Sequence, residues 1–269
     1  LTNTSIGLPT DLWLPVTDVI KPMKAIQYAV GAAYNFKDKV ALSLEGFYKQ
    51  MDNLIEYKEG ASFFSAKDDW EDQVEIGKGW AYGGEVLIQK DVGKFTGWIG
   101  YTLAWNFREF ENIGFGEKYP YKYDRRHDIG IALSYKKSER IDFGVTWVYG
   151  TGNAVTLAQE KYVSQFSLNM NHDDFFLENF TLEHYDNRNG YRMPSYHRLD
   201  VGLNLHKKKE WGETSWSFGF YNAYNRQNPF YLYFGYENDT YDSSNDSRKV
   251  LKQVSLFPII PSVRWNFKF

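Results

Sequence analysis

The last eight residues of the chain, 262–269, read Ser-Val-Arg-Trp-Asn-Phe-Lys-Phe. Successive side chains of a β-strand point to opposite faces, so this segment has one apolar face and one polar face as a strand. The apolar face consists of Val263, Trp265, Phe267 and Phe269, and the polar face of Ser262, Arg264, Asn266 and Lys268. A half-buried strand of a soluble sheet alternates similarly, but the ends of soluble domains usually fray into water. An apolar aromatic end therefore favours a transmembrane strand between lipid and a wet lumen.

The composition agrees with this interpretation. The 269 residues have a net charge of -3, no cysteine and 19% aromatic residues, and the mean hydropathy is -0.54. Such a low average does not exclude a membrane barrel, because only every second residue of its strands must be apolar. The aromatic content suits the girdles at the two membrane interfaces. The near-neutral charge argues against a nucleic-acid partner, which requires a basic surface.

The same two-residue period recurs in one segment after another along the chain. The predicted strands cover residues 25–34, 40–49, 79–90, 94–108, 126–135, 140–150, 196–206, 215–224 and the closing segment 262–269. The eighth segment allows a continuation through Pro229 to Tyr236. We therefore predict an all-β fold, a transmembrane antiparallel β-barrel portion of about nine strands.

The connections between these segments alternate between short and long. Outer-membrane barrels have short periplasmic turns at one rim and long extracellular loops at the other, whereas soluble sandwiches have no reason to sort loops in this way. The last loop is long, so the last strand runs toward the periplasm. This predicts a location in the bacterial outer membrane, in contact with its lipids and with the C-terminus at the periplasmic rim.

The faces are fixed by the cost of placing charges in lipid. A shift of one residue in the segment 126–135 turns Arg126 and Asp128 toward lipid, at about 2–4 kcal/mol for an arginine in mid-bilayer. The same shift in 196–206 exposes Arg198 and Asp200. All four side chains are therefore predicted to face the lumen.

Nine strands is an odd number, whereas bacterial single-chain barrels have an even number and leave no open edge in hydrocarbon. We therefore expect the chain to be part of a larger barrel, with further strands on its N-terminal side. In this interpretation, residues 24–269 are the C-terminal barrel portion. Residues 1–23, which include three prolines, are the tail of an earlier extracellular loop.

Several stretches, in their order and spacing, resemble the TonB-dependent outer-membrane receptors, particularly those of Bacteroidetes. They read DLWLPVTDVIKP, EGFYKQMDNLIEY, GKGWAYGGEVLIQKDVGKFTGWIGYTLAWNFR, YDRRHDIGIALSY, WVYGTGNAVTLA, FGFYNAYNRQNPFYLYF and LFPIIPSVRWNFKF. The resemblance covers nearly the whole chain and implies strands 14 to 22 of a 22-stranded barrel. It implies energised uptake of a siderophore, cofactor, metal complex or oligomeric nutrient.

The resemblance also implies partners. A plug domain fills the barrel in this family, and an N-terminal segment engages TonB; neither lies in this chain. The terminal residues Val263, Trp265, Phe267 and Phe269 resemble the signal that the barrel-assembly machinery reads. No resident cofactor is expected.

Candidate site residues fall into two groups, each with an alternative interpretation. Arg126, Asp128, Arg198 and Asp200 contact the plug or ligand, or form a charge ladder that satisfies polar groups of the lumen, which we favour. The loop aromatics grip a flat ligand, or pack against a neighbouring loop or a surface lipoprotein. These are Phe63, Phe64, Trp70, Phe175 and Phe176. The acidic runs near His172 and in 238–246 lack an ordered ligand spacing, so no metal site is predicted.

The sequence contains no nucleophile–base pairing, phosphate-binding glycine loop or zinc motif, so an enzyme is not predicted. Two functions remain open. The first is transport as the C-terminal barrel segment of a receptor. The second is a structural or binding component of a larger outer-membrane assembly, without transport of its own.

Overall fold

The computed structural model describes residues 15–37, 39–58, 70–157, 160–164, 180–184, 187–210, 212–237 and 248–268. The strands are β1 Lys24–Phe36, β2 Val40–Tyr57, β3 Val74–Lys90, β4 Phe95–Glu109, β5 Tyr119–Pro120, β6 His127–Ser138, β7 Ile141–Gly150, β8 Ala154–Val155, β9 Glu160–Ser164, β10 Phe180–His184, β11 Tyr191–Arg192, β12 Tyr196–Lys209, β13 Gly212–Tyr221, β14 Pro229–Glu237, β15 Arg248–Ser255 and β16 Ile260–Lys268. Two short 3-10 segments cover Trp70–Gln73 and Gly114–Gly116. Within these ranges, no helix is long and apolar enough to span a membrane.

Nine long strands form one sheet in the order β1-β2-β3-β4-β6-β7-β12-β13-β16. Every neighbouring pair is antiparallel, so the sheet is a meander in which each strand pairs with the next long strand of the chain. The pairs β8/β11, β9/β10 and β14/β15 lie within the longer connections, and β5 extends the sheet beside β4. The predicted antiparallel β-fold with about nine strands is confirmed.

Several predicted boundaries differ from the structure: β2 runs on to Tyr57, β3 already begins at Val74, and the eighth predicted strand ends early. The strand that begins near Ser215 does not continue to Tyr236, because β13 ends at Tyr221 and β14 pairs with β15 instead. Asn222 and Asn225 adopt positive φ angles of 52° and 54°, which turn the chain out of the sheet. Asparagine tolerates this conformation better than most residues.

The connections sort by length as predicted. Short turns join β1 to β2, β3 to β4, β6 to β7 and β12 to β13, and we call their edge of the sheet the short-turn rim. All the longer connections leave from the opposite edge, the long-loop rim. Because neighbouring strands are antiparallel, successive connections leave the sheet from alternate edges. The two rims therefore carry connections of different lengths.

One face of the sheet, here called the apolar face, has an aliphatic centre between two bands of aromatic side chains. A typical central row pairs Ile88 with Ile99 and Ile99 with Ile131. Toward the long-loop rim lie Trp80, Tyr82, Trp105 and Phe107; toward the short-turn rim lie Phe95, Tyr135, Phe143, Trp216 and Trp265. Many of these side chains are open to the surroundings, including Trp265 at 58%. Such a band flanked by aromatics is the signature of a surface in contact with lipid.

The opposite, polar face carries mainly charged and small residues, although Leu87 and Trp98 also lie on it. One row across the sheet runs from Glu45 to Glu85, Thr102 and Asp128. The buried hydrophobic cluster lies beyond this row, at the long-loop rim, rather than in the middle of the sheet. This arrangement places the packed core where the long connections meet the strands.

Two glycines on the polar face allow a matched test of strand packing. A Cβ atom on Gly83 would lie 2.3 Å from the carbonyl oxygen of Leu103, whereas one on Gly144 would meet nothing within 4 Å. Gly83→Ala is therefore expected to lower the free energy of unfolding, measured with urea in detergent, by about 1–3 kcal/mol. Gly144→Ala is expected to change it by no more than about 0.5 kcal/mol. Equal effects of the two substitutions would contradict the strand pairing.

Candidate functional site

The candidate site lies on the polar face at the long-loop rim, where β2 and β3 extend beyond their neighbours. A bulge between Met51 and Leu54 shifts the strand register, so that Leu54 pairs with Gly77 and Glu56 pairs with Glu75. Such a bulge re-aims the side chains that follow it. Here it brings two glutamates side by side above the sheet.

An apolar cluster supports this region from below. It consists of Leu54, Phe110, Ile113 and Tyr119, with Phe110 only 1% exposed. The Phe110 ring packs directly on Gly77, since a Cβ atom there would lie 2.4 Å from a ring carbon. The connection from β4 to β6 is therefore held against the strands by a small core of its own.

Charged and aromatic side chains surround the first glutamate. Glu56 Oε2 lies 3.5 Å from Arg108 Nη1, and Glu56 Oε1 lies 3.8 Å from Arg188 Nη2. The Arg108 guanidinium also lies 3.5 Å from the Tyr121 ring centroid, and that of Arg188 lies 5.7 Å from the Tyr119 centroid. The result is a surface of arginine and tyrosine pairs at the mouth of the polar face.

The second glutamate is held by hydrogen bonds from neutral groups. Glu75 is 8% exposed, and its Oε1 accepts hydrogen bonds from Asn112 N at 2.7 Å and Asn112 Nδ2 at 3.1 Å. Its Oε2 is buried without a hydrogen-bond partner among the residues described. The carboxylate fastens the loop after β4 to β3.

Burial raises the pKa of the Tyr119 phenol to about 12, although the Arg188 guanidinium acts to lower it. Folding therefore favours the neutral phenol, so this contribution to stability is complete below pH 10.0 and lost as the pH rises through about 12. We expect the difference in free energy of unfolding between wild type and Tyr119→Phe to stay constant below pH 10.0 and to change only in that interval. A difference that changes around neutral pH would contradict the burial of this phenol.

A second polar centre, beside the first, is built around Asp124. This side chain is 1% exposed; its Oδ1 accepts a hydrogen bond from Asn106 N at 2.6 Å, and its Oδ2 pairs with the Arg192 guanidinium. Arg126 Nη2 lies 3.6 Å from the same Oδ2. Arg192 also donates to the carbonyl oxygen of Gly152 at 3.2 Å. Asp124 therefore connects the end of β4 to β11. Its role was not predicted, although it directly precedes the Arg-Arg-His-Asp run.

A third centre contains two of the predicted site residues. Arg198 Nε lies 2.9 Å from Asp200 Oδ1, and Arg198 Nη1 donates to the hydroxyls of Tyr196 and Tyr221 at 2.9 and 2.8 Å. Asp200 Oδ1 also accepts a hydrogen bond from Asn222 N at 2.9 Å. These contacts are of the kind expected from a charge ladder that satisfies polar groups of the lumen. A plug or ligand contact of the pair stays a prediction.

The two residues of the other predicted pair, Arg126 and Asp128, lie on different faces of the sheet. Asp128 belongs to the polar row and forms a mostly exposed ion pair with Arg125 at 3.6 Å. Arg126 differs from the lumen-facing position expected for it, because its guanidinium lies 4.6 Å from the ring centroid of Trp105 on the apolar face. The physical reason is that β6 begins only at His127, so strand alternation does not fix the direction of Arg126.

The remaining predicted residues are placed in part. Trp70 opens the 3-10 segment before β3 and is partly buried. Val263, Trp265 and Phe267 share one face of β16, where Trp216 lies beside Trp265 with centroids 6.3 Å apart. Phe63, Phe64, Phe175, Phe176 and Phe269 lie outside the described residues, as do the two acidic runs considered for a metal.

No family model and no curated protein matches the sequence. Solved structures do match. The ferripyoverdine receptor of the outer membrane of Pseudomonas aeruginosa, bound to ferripyoverdine, has a TM-score of 0.51 at 14% identity, with 80% of this chain and 24% of the receptor covered. The ferric citrate transporter FecA has a TM-score of 0.50 at 14% identity, with coverage of 92% and 31%. The ferric-catecholate import receptor Fiu of E. coli K12 has a TM-score of 0.49 at 15% identity, with coverage of 78% and 24%.

With the antiparallel meander and the banded apolar face, the likenesses to the ferripyoverdine receptor and FecA define the fold class: a portion of a transmembrane antiparallel β-barrel. Within that class, the two similar structures are described as an outer-membrane receptor and a transporter. The chain spans between 24% and 31% of the length of these proteins.

Proposed function

We propose that this chain is the C-terminal barrel portion of a TonB-dependent outer-membrane receptor of the Bacteroidetes type. Residues 24–269 form barrel wall, and residues 1–23 are the end of an earlier extracellular loop. The apolar face contacts outer-membrane lipid, the polar face lines the lumen, and the long-loop rim is extracellular. The observation that carries the proposal is the apolar face of the nine-stranded sheet, which has an aliphatic centre and aromatic side chains toward both rims on most of its strands.

The two outermost strands support a larger assembly. β1 pairs only with β2, and β16 pairs only with β13, so each has one unpaired edge in the described sheet. Unpaired backbone groups are costly in hydrocarbon. We propose that further strands of a 22-stranded barrel pair with these edges, and that a plug fills its lumen. TonB engages the plug side, and the barrel-assembly machinery reads Val263, Trp265, Phe267 and Phe269.

The polar surface favours one ligand class among those open. Arg108 with the partly exposed Tyr121 ring, and Arg188 above the buried Tyr119, place two cations and one accessible aromatic ring at the extracellular mouth. This combination suits a siderophore or another anionic metal complex more than an uncharged cofactor or oligomeric nutrient. The two similar proteins named for ferric citrate and ferripyoverdine support this choice. Ligand bound to the loops and plug then passes along the lumen wall when TonB pulls.

Uptake of radioiron as ferric citrate and as ferripyoverdine tests this proposal in cells that carry the complete protein. We expect uptake of at least one complex that a protonophore abolishes. Arg108→Gln is expected to reduce it about tenfold, because a partly buried charged contact is lost. Arg125→Gln, at a half-exposed arginine of the same rim, serves as the matched control. Normal uptake by Arg108→Gln, with a folded barrel shown by heat-modifiable gel mobility, would contradict the assigned mouth.

A second candidate is a binding component of a larger outer-membrane assembly that does not transport. The hairpin β14/β15 favours it, because this hairpin lies off the main sheet and exposes Phe230 at 61% and Phe234 at 39%. Exposed aromatics at the rim suit a protein partner such as a surface lipoprotein. A stable co-purifying lipoprotein together with protonophore-insensitive iron uptake would favour this candidate over the receptor.

A further inference from the structure

Among the described residues, the hairpin β14/β15 joins the nine-stranded sheet only through the segments at its base. Its two strands pair with each other and with no strand of that sheet. The Phe230 and Leu251 side chains of the hairpin are exposed. The segments at its base, 222–228 before it and 256–259 after it, therefore set the position of the hairpin relative to the sheet.

Three asparagines at a spacing of three residues fasten this base, and we call them the asparagine clamp: Asn222, Asn225 and Asn228. Asn225 Oδ1 accepts a hydrogen bond from Ile259 N at 3.0 Å. Asn228 binds both backbone groups of His197, because its Oδ1 accepts from the N–H at 3.0 Å and its Nδ2 donates to the carbonyl oxygen at 2.9 Å. The clamp thereby connects the base of the hairpin to β12 and to the segment that leads into β16.

Asn222 holds a residue in an unfavourable backbone conformation. Phe257 has a φ angle of 58°, which bulky side chains rarely adopt. The Asn222 side chain is fully buried and donates from Nδ2 to the carbonyl oxygen of Phe257 at 3.2 Å. The Tyr221 ring meets the Phe257 ring edge-on, with centroids 6.4 Å apart. A strained backbone persists only where its surroundings hold it, so Phe257 relaxes when these contacts open.

The ion pair on the polar face of β12 secures the same two residues from the other side. Asp200 Oδ1 accepts a hydrogen bond from Asn222 N at 2.9 Å, and Arg198 Nη1 donates to the Tyr221 hydroxyl at 2.8 Å. Arg198 Nη2 lies 2.9 Å from Asp200 Oδ2. One continuous set of contacts therefore leads from the polar face to Phe257 at the base of the hairpin.

We propose that these contacts form a latch between the polar face and the hairpin. The latch holds the hairpin β14/β15 in one strained position, and loss of the Arg198–Asp200 pair lets the hairpin swing as one unit about Pro229 and Phe257. Relaxation of Phe257 favours the released position. The two side chains of the pair are 23% and 25% exposed, so an anionic group in the lumen reaches Arg198 and competes with Asp200 for it.

Arg198 and Asp200 are positioning residues in this account, since they act on the hairpin through Tyr221 and Asn222. A physical coupling of this kind requires an element with two arrangements that both ends of the network bias, and the hairpin is that element. The inference rests on the proposed function for the lumen and its anionic ligand. It adds a control of the extracellular hairpin from inside the barrel.

Spin labels test the latch in the complete protein in membranes. One label replaces Leu251 on the hairpin and the other replaces Val145 on β7, and double electron–electron resonance measures the distances between them. Wild type is expected to give one narrow distance. Arg198→Gln is expected to raise the ratio of displaced to clamped hairpin about tenfold, because a hydrogen-bonded charged contact is lost. Asn222→Gly keeps the positive φ angle accessible but lacks the amide, and is expected to have a similar effect.

The control variant is Arg264→Gln. Arg264 is exposed on the polar face of β16 and has no ion pair within the part of the chain that the structure describes, so the distances are expected to stay unchanged. The double variant Arg198→Gln/Asn222→Gly is expected to raise the ratio no more than the larger single effect, because both residues act through one latch. A general weakening of the fold gives additive effects instead.

Folding of each variant is checked by heat-modifiable gel mobility. Unchanged distances in Arg198→Gln or in Asn222→Gly, additive effects in the double variant, or an equal change in Arg264→Gln overturn the proposal. The distance measurement needs no transported ligand. Failure of the proposed transport function would therefore appear in the iron-uptake assay and not in this one.

Discussion

Asp124→Ala is expected to lower the free energy of unfolding by about 3–5 kcal/mol. The carboxylate is 1% exposed, accepts the N–H of Asn106 and neutralises Arg192 and Arg126. Its removal leaves a partly buried cationic pair and an unsatisfied strand-edge N–H, and breaking a buried charge pair from one side has this cost. Urea unfolding of the refolded protein in detergent measures the change.

The control for this prediction is Asp128→Ala, four residues along the chain. Its ion pair with Arg125 is about half exposed on both sides, and such surface pairs contribute about 0–1 kcal/mol. We expect a loss of stability several times larger for Asp124→Ala than for Asp128→Ala. A similar small loss at both positions would show that Asp124 does not hold the end of β4 to β11.

Phe110→Ala is the second substitution with a large expected effect. The ring is 1% exposed and packs with Leu54, Ile113 and Tyr119 over Gly77. Deleting it leaves a cavity in the cluster that holds the loop after β4, which costs about 3–5 kcal/mol in buried sites of this kind. We also expect faster proteolysis within residues 111–123, because their support is lost.

Phe115→Ala provides the matched control within the same connection. This ring is 87% exposed, so its removal is expected to change the free energy of unfolding by no more than about 0.5 kcal/mol. Equal losses from the two substitutions would contradict the packing of the loop. Loss of stability without faster proteolysis would place the effect of Phe110 in the strands instead.

The regular part of the fold could be predicted because it depends on two local patterns. A strand repeats every two residues, so Val263, Trp265 and Phe267 were assigned to one face from the sequence alone. The loop lengths then ordered the strands into a meander with two different rims. Both patterns survive in the sheet because each strand must keep one face in an apolar environment.

Most of the candidate site, apart from Arg198 and Asp200, could not be predicted because its contacts join distant segments. Arg192 meets Asp124 across 68 residues, and Asn112 meets Glu75 across 37. The bulge near Asn53 is a shift of the strand register, which the alternation of the flanking residues does not reveal. Arg126 shows the same limit, since alternation gives the direction of a side chain only inside a strand.

The most direct test of the central claim uses the absence of cysteine, which makes every introduced cysteine unique. Spin labels at Ile131 and Val145 report on the apolar face, and labels at the paired residues Ala132 and Thr146 report on the polar face. In membranes, we predict that the first two labels collide mainly with oxygen dissolved in lipid. We predict that the second two collide mainly with a water-soluble nickel chelate. Labels that are equally accessible to the chelate on both faces would contradict a barrel wall between lipid and lumen.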